Sequence, residues 1–239
     1  MNLYEKTGRL GGVFNAAAAM SFKEKDRDLL AWYERKLRST ETVIHFNTEI
    51  EDIGTLDADI VVVAIGAHAR TLHIPGAERA VTAADYLNGF ASAGDNVVII
   101  GGGLTGCEIA YELALQGKHP SVVEMTGDLV GAKGICMANS TMLRELLRYH
   151  NVPAYLNSEA ESITETSVVI RTPEGSKSIP ADTVIMSVGY SPDKRFETDE
   201  LRKIRKPEVY FVGDCDKVGS LKTVIKQAYE LVQTISYGK

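Results

Sequence analysis

A chain of 239 residues can bury one large core or two modest ones. Apolar residues make up 44% and charged residues 24%, the balance of a soluble globular protein. The formal charge of −6 argues against a nucleic-acid surface, and no apolar run approaches the roughly 18 residues of a membrane span. Met1-Asn2-Leu3-Tyr4-Glu5-Lys6 carries no signal-peptide pattern. Cys107, Cys136 and Cys215 stand far apart with no C-x-x-C, so neither a zinc site, an iron–sulfur cluster nor a dithiol pair is encoded here. The expectation is a reduced, cytoplasmic protein.

In chain order, Leu3-Tyr4-Glu5-Lys6 reads as a strand finishing on a carboxylate, followed by Gly8-Arg9-Leu10-Gly11-Gly12. Residues 26–37 place Leu29, Leu30, Trp32, Tyr33 and Leu37 among charges and predict a helix; the charge-rich stretch 23–38 is its solvated face. The continuous apolar run 60–65 predicts a strand buried on both faces, and Ile74-Pro75-Gly76 a turn. Strands follow at 96–100 and 121–123, with helices at 105–116, stopped by Gly117, and 140–149. An antiparallel meander is expected from 157–164, 167–172 and 177–179, the last two flanking the turn Pro173-Glu174-Gly175-Ser176. Strands at 183–188 and 209–212 and a helix at 221–235 complete the chain. The alternation implies an α/β fold with parallel strands and crossover helices.

The most informative run is Gly101-Gly102-Gly103-Leu104-Thr105-Gly106. A strand enters this G-x-G-x-x-G turn and a helix leaves it. Gly101 permits the tight turn, Gly103 lets backbone approach a pyrophosphate, and Gly106 lets helix and strand pack closely. The helix N-terminus directs free N–H groups at phosphates. The next strand ends at Glu124, 18 residues past Gly106, placed to accept hydrogen bonds from a ribose diol. A carboxylate there repels a 2′-phosphate, and Met125, Thr126, Gly127 and Asp128 offer no cation for one, so NADH is expected over NADPH. Near the far end, 209–212 runs into Gly213-Asp214, where a carboxylate can meet a ligand hydroxyl.

Together these stretches resemble the flavoprotein reductases with two dinucleotide folds. The resemblance is closer to the carboxyl-terminal part of the 2,4-dienoyl-CoA reductase, enoate reductase and NADH:flavin oxidoreductase (old yellow enzyme-like) group. It runs through Leu3-Tyr4-Glu5-Lys6, Leu10-Gly11-Gly12, 59–67, 74–76, 101–124, 182–190 and 209–215, nearly the whole chain. It implies two Rossmann-like domains, the second inserted in the first. Residues 1–90 and 191–239 are expected to form a discontinuous flavin-type domain, and 91–190 a nicotinamide domain.

By the same resemblance, Glu5, with Lys6 beside it, would bind the adenosine ribose of FAD. Gly11 and Gly12 would lie along the flavin nucleotide, Ala64, Ile65 and Gly66 beside FAD, and Asp214, with Gly213, on the ribityl chain. Gly101, Gly102, Gly103, Leu104, Thr105, Gly106 and Glu124 would take NAD(H), with Gly189 near its nicotinamide half. A hydride would pass from nicotinamide to flavin with no side chain acting as acid or base.

Departures accompany the likeness. Ile65 replaces the usual threonine, and Ala69 and Leu72 replace prolines. The first strand and glycine turn of the flavin-type domain, roughly thirty residues of a dinucleotide unit, are absent. So are the group's FMN barrel and 4Fe-4S cluster. The expectation is an excised or truncated piece of a longer polypeptide whose substrate is reduced in the FMN barrel. FAD binding by this chain alone would then be weak or absent, and the chain by itself inactive. Two alternatives stand beside this: a non-catalytic dinucleotide-binding module, and a stand-alone FAD-dependent NADH reductase. Cys107 and Cys215 read as packing residues and Cys136 as a structural thiol. His45, His68, His73, His119 and His150 show no metal-ligand spacing, and His68 and His73 read as surface loop positions.

Overall fold

The structure is a computed structural model that describes residues 1–131, 134–198 and 207–237. The elements begin with β1 (Asn2–Tyr4), α1 (Phe14–Ala17), α2 (Glu24–Arg38), β2 (Val43–His45), β3 (Ile60–Val63) and β4 (Ala67–Ala69). Next come β5 (Val81–Thr82), α3 (Ala83–Leu87), β6 (Asn96–Ile100), α4 (Leu104–Leu115), β7 (His119–Val123), α5 (Met137–Tyr149) and β8 (Ala154–Tyr155). The chain continues through β9 (Glu159–Ile163), β10 (Ser167–Thr172), β11 (Gly175–Pro180) and β12 (Thr183–Met186). It closes with β13 (Tyr190–Pro192), β14 (Glu208–Phe211) and α6 (Leu221–Tyr237). The chain divides into two compact units: residues 1–15, 25–68 and 190–239, and residues 16–24 and 69–189.

In the second unit a five-stranded parallel sheet has the order β5-β12-β6-β7-β8. The unbroken apolar run of β6 follows from cover on both faces. Val97 and Ile99 point to one side, where they pack with Ile109 and Leu113 of α4 and Leu143 and Leu147 of α5. Val98 and Ile100 point to the other, against Ile163, Val168, Ile170 and Ile179 of the antiparallel sheet β11-β10-β9. Burying each such aliphatic side chain contributes about 1.5–3 kcal/mol. Segment 69–90 groups with this unit rather than with the first, where the sequence reading put it. The reasons are local. β5 pairs in parallel with β12, and the Ile163 N–H donates to the Pro75 carbonyl at 2.8 Å. A Cβ on Gly76 would sit 1.8 Å from the Ile163 carbonyl oxygen, so only glycine allows this approach.

The first unit holds two parallel pairs, β1 with β2 and β14 with β3. Ile53, Val63, Phe196 and Cys215 form its buried cluster among the described residues. Here the structure departs from the expectation for 60–65. The strand ends at Val63, and Val62 is 46% exposed. Apolar composition predicts burial on both faces, but β3 pairs with β14 alone among the described residues, and of its four residues only Val63 is buried. The helix α2 runs as expected with no side chain fully buried. Just before it, Lys23 does not belong to a solvated face: its Nζ meets Glu108 Oε1 at 2.6 Å.

Candidate functional site

The turn from β6 into α4 uses its glycines for distinct steric reasons. Gly101 has φ of 110°, and a Cβ there would lie 2.3 Å from the Ser187 carbonyl oxygen. A Cβ on Gly106 would lie 2.0 Å from the Gly101 carbonyl oxygen, so the first turn of α4 sits directly on the loop. A Cβ on Gly102 would meet Leu129 Cδ2 at 2.6 Å. Beside Gly103, by contrast, nothing lies within 4 Å. Gly103 is also the N-cap of α4 and supplies no side-chain cap, so no side chain of its own covers the first N–H groups of the helix. That combination suits an anionic diphosphate.

Glu124 follows β7 directly. Its Oε2 accepts from the Gly102 N–H at 2.6 Å; its Oε1 accepts from the Thr126 N–H and hydroxyl, both at 2.8 Å. The carboxylate is thus tied both to the glycine turn and to its own loop. The Thr126 hydroxyl also lies 3.1 Å from the Asp128 carbonyl oxygen. Residues 125–128 carry no cation, as read from sequence, but α5 brings one. Arg144 Nη2 pairs with Asp128 Oδ2 at 2.8 Å, and its Nε donates to the Leu129 carbonyl. Beneath the turn, Cys107 Sγ donates to the Gly102 carbonyl at 3.3 Å; burial, with Glu124 and Glu108 nearby, pushes this thiol up to about 12. It is a packing residue, as expected. Gly189 lies beyond β12 with φ of 90°, and its carbonyl accepts from the Arg70 N–H.

The first unit repeats the carboxylate turn. Glu5 Oε1 accepts from the Thr7 N–H at 2.8 Å and the Thr7 hydroxyl at 2.7 Å, and that hydroxyl lies 2.9 Å from the Arg9 carbonyl oxygen. The exposed Lys6 lies between Glu5 and Thr7. Gly11 has φ of 108° and a tight approach to Asn15 and Leu30, while Gly12 has φ of 50°. Ala64 and Ile65 are exposed at the end of β3, and the Gly66 carbonyl accepts from the Asp193 N–H at 3.0 Å. Gly213 donates to Gln227 Oε1, and Asp214 Oδ1 accepts from the Gly219 N–H at 3.0 Å.

A signal for this duplication lies in the chain but not in any motif. Glu5-Lys6-Thr7-Gly8-Arg9-Leu10-Gly11-Gly12 matches Glu124-Met125-Thr126-Gly127-Asp128-Leu129-Val130-Gly131. Likewise His45-Phe46-Asn47-Thr48-Glu49 matches Tyr155-Leu156-Asn157-Ser158-Glu159. The backbone follows suit. Asn47 and Asn157 are both left-handed, with φ of 52° and 48°, and their N–H groups donate to the Thr7 and Thr126 carbonyls. Thr7 and Thr126 were missed as site residues; comparing the chain with itself finds them.

A second cluster also escaped the sequence reading. His68 is exposed but lies in β4 rather than in the surface loop expected, and it places Nε2 2.9 Å from the buried Asp193 carboxylate. Arg195 donates to Asp193 Oδ2 through Nε and Nη2 and to Glu49 Oε1 through Nη1. The Arg195 side chain holds the Asp193 carboxyl down to about 2. Cys215 is buried and donates to the Val63 carbonyl, whereas Cys136 is exposed at the start of α5, so it is not the packed structural thiol expected. No group of three or more His, Cys, Asp or Glu that could hold a metal ion occurs among the described residues, and no described helix is long and apolar enough to cross a membrane.

The chain is similar to known oxidoreductases. Cinnamate reductase of Clostridium sporogenes is 34% identical over 238 residues, covering 98% of this chain and 36% of the relative. NADH oxidase of Thermoanaerobacter brockii is 29% identical over 246 residues, covering 98% of this chain and 37% of the relative. A solved structure of 2-naphthoyl-CoA reductase with 2-naphthoyl-CoA superposes with a TM-score of 0.87 at 26% identity, over 97% of this chain and 35% of that one. The chain therefore spans about a third of the length of these relatives. The sequence model described as pyridine nucleotide-disulphide oxidoreductase matches residues 33–234, a domain that implies FAD and NAD(H) binding. On that match the chain belongs to the pyridine nucleotide-disulphide oxidoreductase family, with oxidoreductase relatives that reduce cinnamate and an aromatic acyl-CoA.

Proposed function

We propose that these residues form the NADH-binding and electron-transfer portion of a multi-cofactor flavoprotein oxidoreductase. Its substrate would be an enoate or enoyl-CoA-type compound, reduced in an FMN- and 4Fe-4S-bearing part outside these 239 residues. The names of the cinnamate and 2-naphthoyl-CoA reductases support that substrate class. The second unit is the NAD(H) domain and the first the flavin-type domain. When bound, NADH supplies a hydride to FAD. The chain's own residues bind and orient. The N–H groups at Gly103–Gly106 would hold the pyrophosphate, Glu124 would accept from the adenosine ribose, and Gly189 would lie near the nicotinamide half. On the flavin side the holders are Glu5, Gly11, Gly12, Gly66 and Asp214, with Lys6, Ala64, Ile65 and Gly213 beside them.

The observation that carries this reading is the Glu124 carboxylate held 2.6 Å from the Gly102 N–H, which joins strand end and glycine turn in one site. A carboxylate there favours a free 2′-hydroxyl over a 2′-phosphate. Titrating the chain with each nucleotide tests it: NADH binds more tightly than NADPH, and Glu124→Ala weakens NADH at least tenfold, the worth of a hydrogen bond to a charged group. Tighter NADPH binding overturns the reading. We infer that these residues alone hold FAD weakly and do not turn over NADH: the purified chain should show little flavin absorbance, and a yellow preparation would refute that part.

A further inference from the structure

Thr126 is an unassigned residue with a defined job at this site. A carboxylate offers about four lone-pair positions. On Glu124 three are taken within the chain: one on Oε2 by Gly102, and two on Oε1 by the N–H and hydroxyl of Thr126. Both donors on Oε1 come from one residue, so Thr126 sets which carboxylate edge faces the Gly102 side. The same residue type makes the same two bonds to Glu5 Oε1 in the other unit, although Glu5 has no Gly102 counterpart among the described residues. The bond therefore belongs to the Glu-x-Thr-Gly segment itself and is not a by-product of packing against the glycine turn.

We propose that Thr126 is a positioning residue for nucleotide discrimination. Its hydroxyl pre-orders the Glu124 carboxylate so that the remaining lone pair of Oε2 meets a ribose hydroxyl and the same edge repels a 2′-phosphate. Thr126 does not touch the nucleotide in this account; it acts through Glu124. The proposal rests on the reading of Glu124 as the ribose ligand. Its energetic content is the ordering of one flexible side chain before binding, which spans about two- to tenfold in affinity.

The test is equilibrium titration of the full chain and its Thr126→Val, Thr126→Ser and Glu124→Gln variants with NADH and with NADPH, followed by nicotinamide fluorescence. Thr126→Val should weaken NADH about two- to tenfold, leave NADPH no weaker or tighten it, and so lower the discrimination ratio. Thr126→Ser, which keeps the hydroxyl, should restore the ratio. Equal weakening of both nucleotides by Thr126→Val, or no rescue by serine, assigns Thr126 a purely structural role and overturns the proposal. If Glu124→Gln weakens NADH while Thr126→Val changes nothing, the Thr126 role alone fails. If Glu124→Gln leaves NADH affinity unchanged, the ribose reading beneath it fails as well.

Discussion

Glu5 and Glu124 end two copies of one local design set in different surroundings. Both follow a parallel strand, both accept from a threonine two residues on, and both face a left-handed asparagine. Around Glu124, β7 has β6 on one side and β8 on the other, and Val122 and Val123 are buried. Around Glu5, β1 pairs with β2 alone among the described residues, and Tyr4 and Val43 are exposed. At the corresponding positions Gly11 takes φ of 108° in one copy, while Val130 is forced to φ of 52° in the other. A β-branched residue adopts that conformation only when its surroundings compel it. Val130 is buried and its N–H donates to the Gly102 carbonyl at 2.8 Å. The segment thus writes the carboxylate turn by itself, but the neighbouring strand and its glycine turn make the site rigid.

The contrast can be broken most forcefully at the glycines. Gly106→Val puts side-chain atoms where the Gly101 carbonyl already sits; it should cost about 3 kcal/mol and abolish NADH binding. Gly12→Ala meets nothing within 4 Å and should cost only about 1 kcal/mol, set by its positive φ. Thermal melting with nucleotide titration compares the two, and equal losses would erase the distinction. Next, Ile99→Ala in the doubly covered strand should cost about 2–5 kcal/mol, whereas Val62→Ala at an exposed position of β3 should cost under about 0.5 kcal/mol. Denaturant unfolding decides this, and a large Val62 effect would mean that position is covered in solution.

The subtlest test lies in the first unit. The folded-state Asp193 pKa is depressed to about 2, below its usual 3.8. Its stabilisation is therefore complete above about pH 4 and is lost as pH falls toward 2. Asp193→Asn should cost about 1–3 kcal/mol at neutral pH and flatten the acid limb of the stability curve. An unchanged acid limb would remove Asp193 from that role.

How much of this was legible follows the same contrast. The strand at 96–100 reads directly because both of its faces are covered, which writes an uninterrupted apolar run. The run at 60–65 looks alike in composition, yet its burial depends on neighbours that composition does not name. The placement of Glu124 against the glycine turn is legible because the spacing from such a turn to a strand-end acid is a property of one βαβ unit. Arg144 was not, since it reaches Asp128 from the facing turn of another helix. The Asp193, Arg195 and Glu49 cluster was hidden for the same reason: 146 positions separate Arg195 from Glu49. The threonines were visible only as a repeat, because nothing about a lone Thr-Gly marks it as part of a carboxylate's support.

The buried Cys107 has one more consequence. Its thiol donates to the Gly102 carbonyl, and its pKa, pushed up to about 12, leaves almost no thiolate at neutral pH. Cys136 lies exposed at the start of α5. The two thiols therefore sit at opposite ends of an alkylation clock. Cys136 marks the dead time of labelling, and Cys107 counts each local opening of the glycine turn. Slower Cys107 labelling on adding NADH would report, through a native sulfur and no engineered probe, how tightly the nucleotide closes its own cradle.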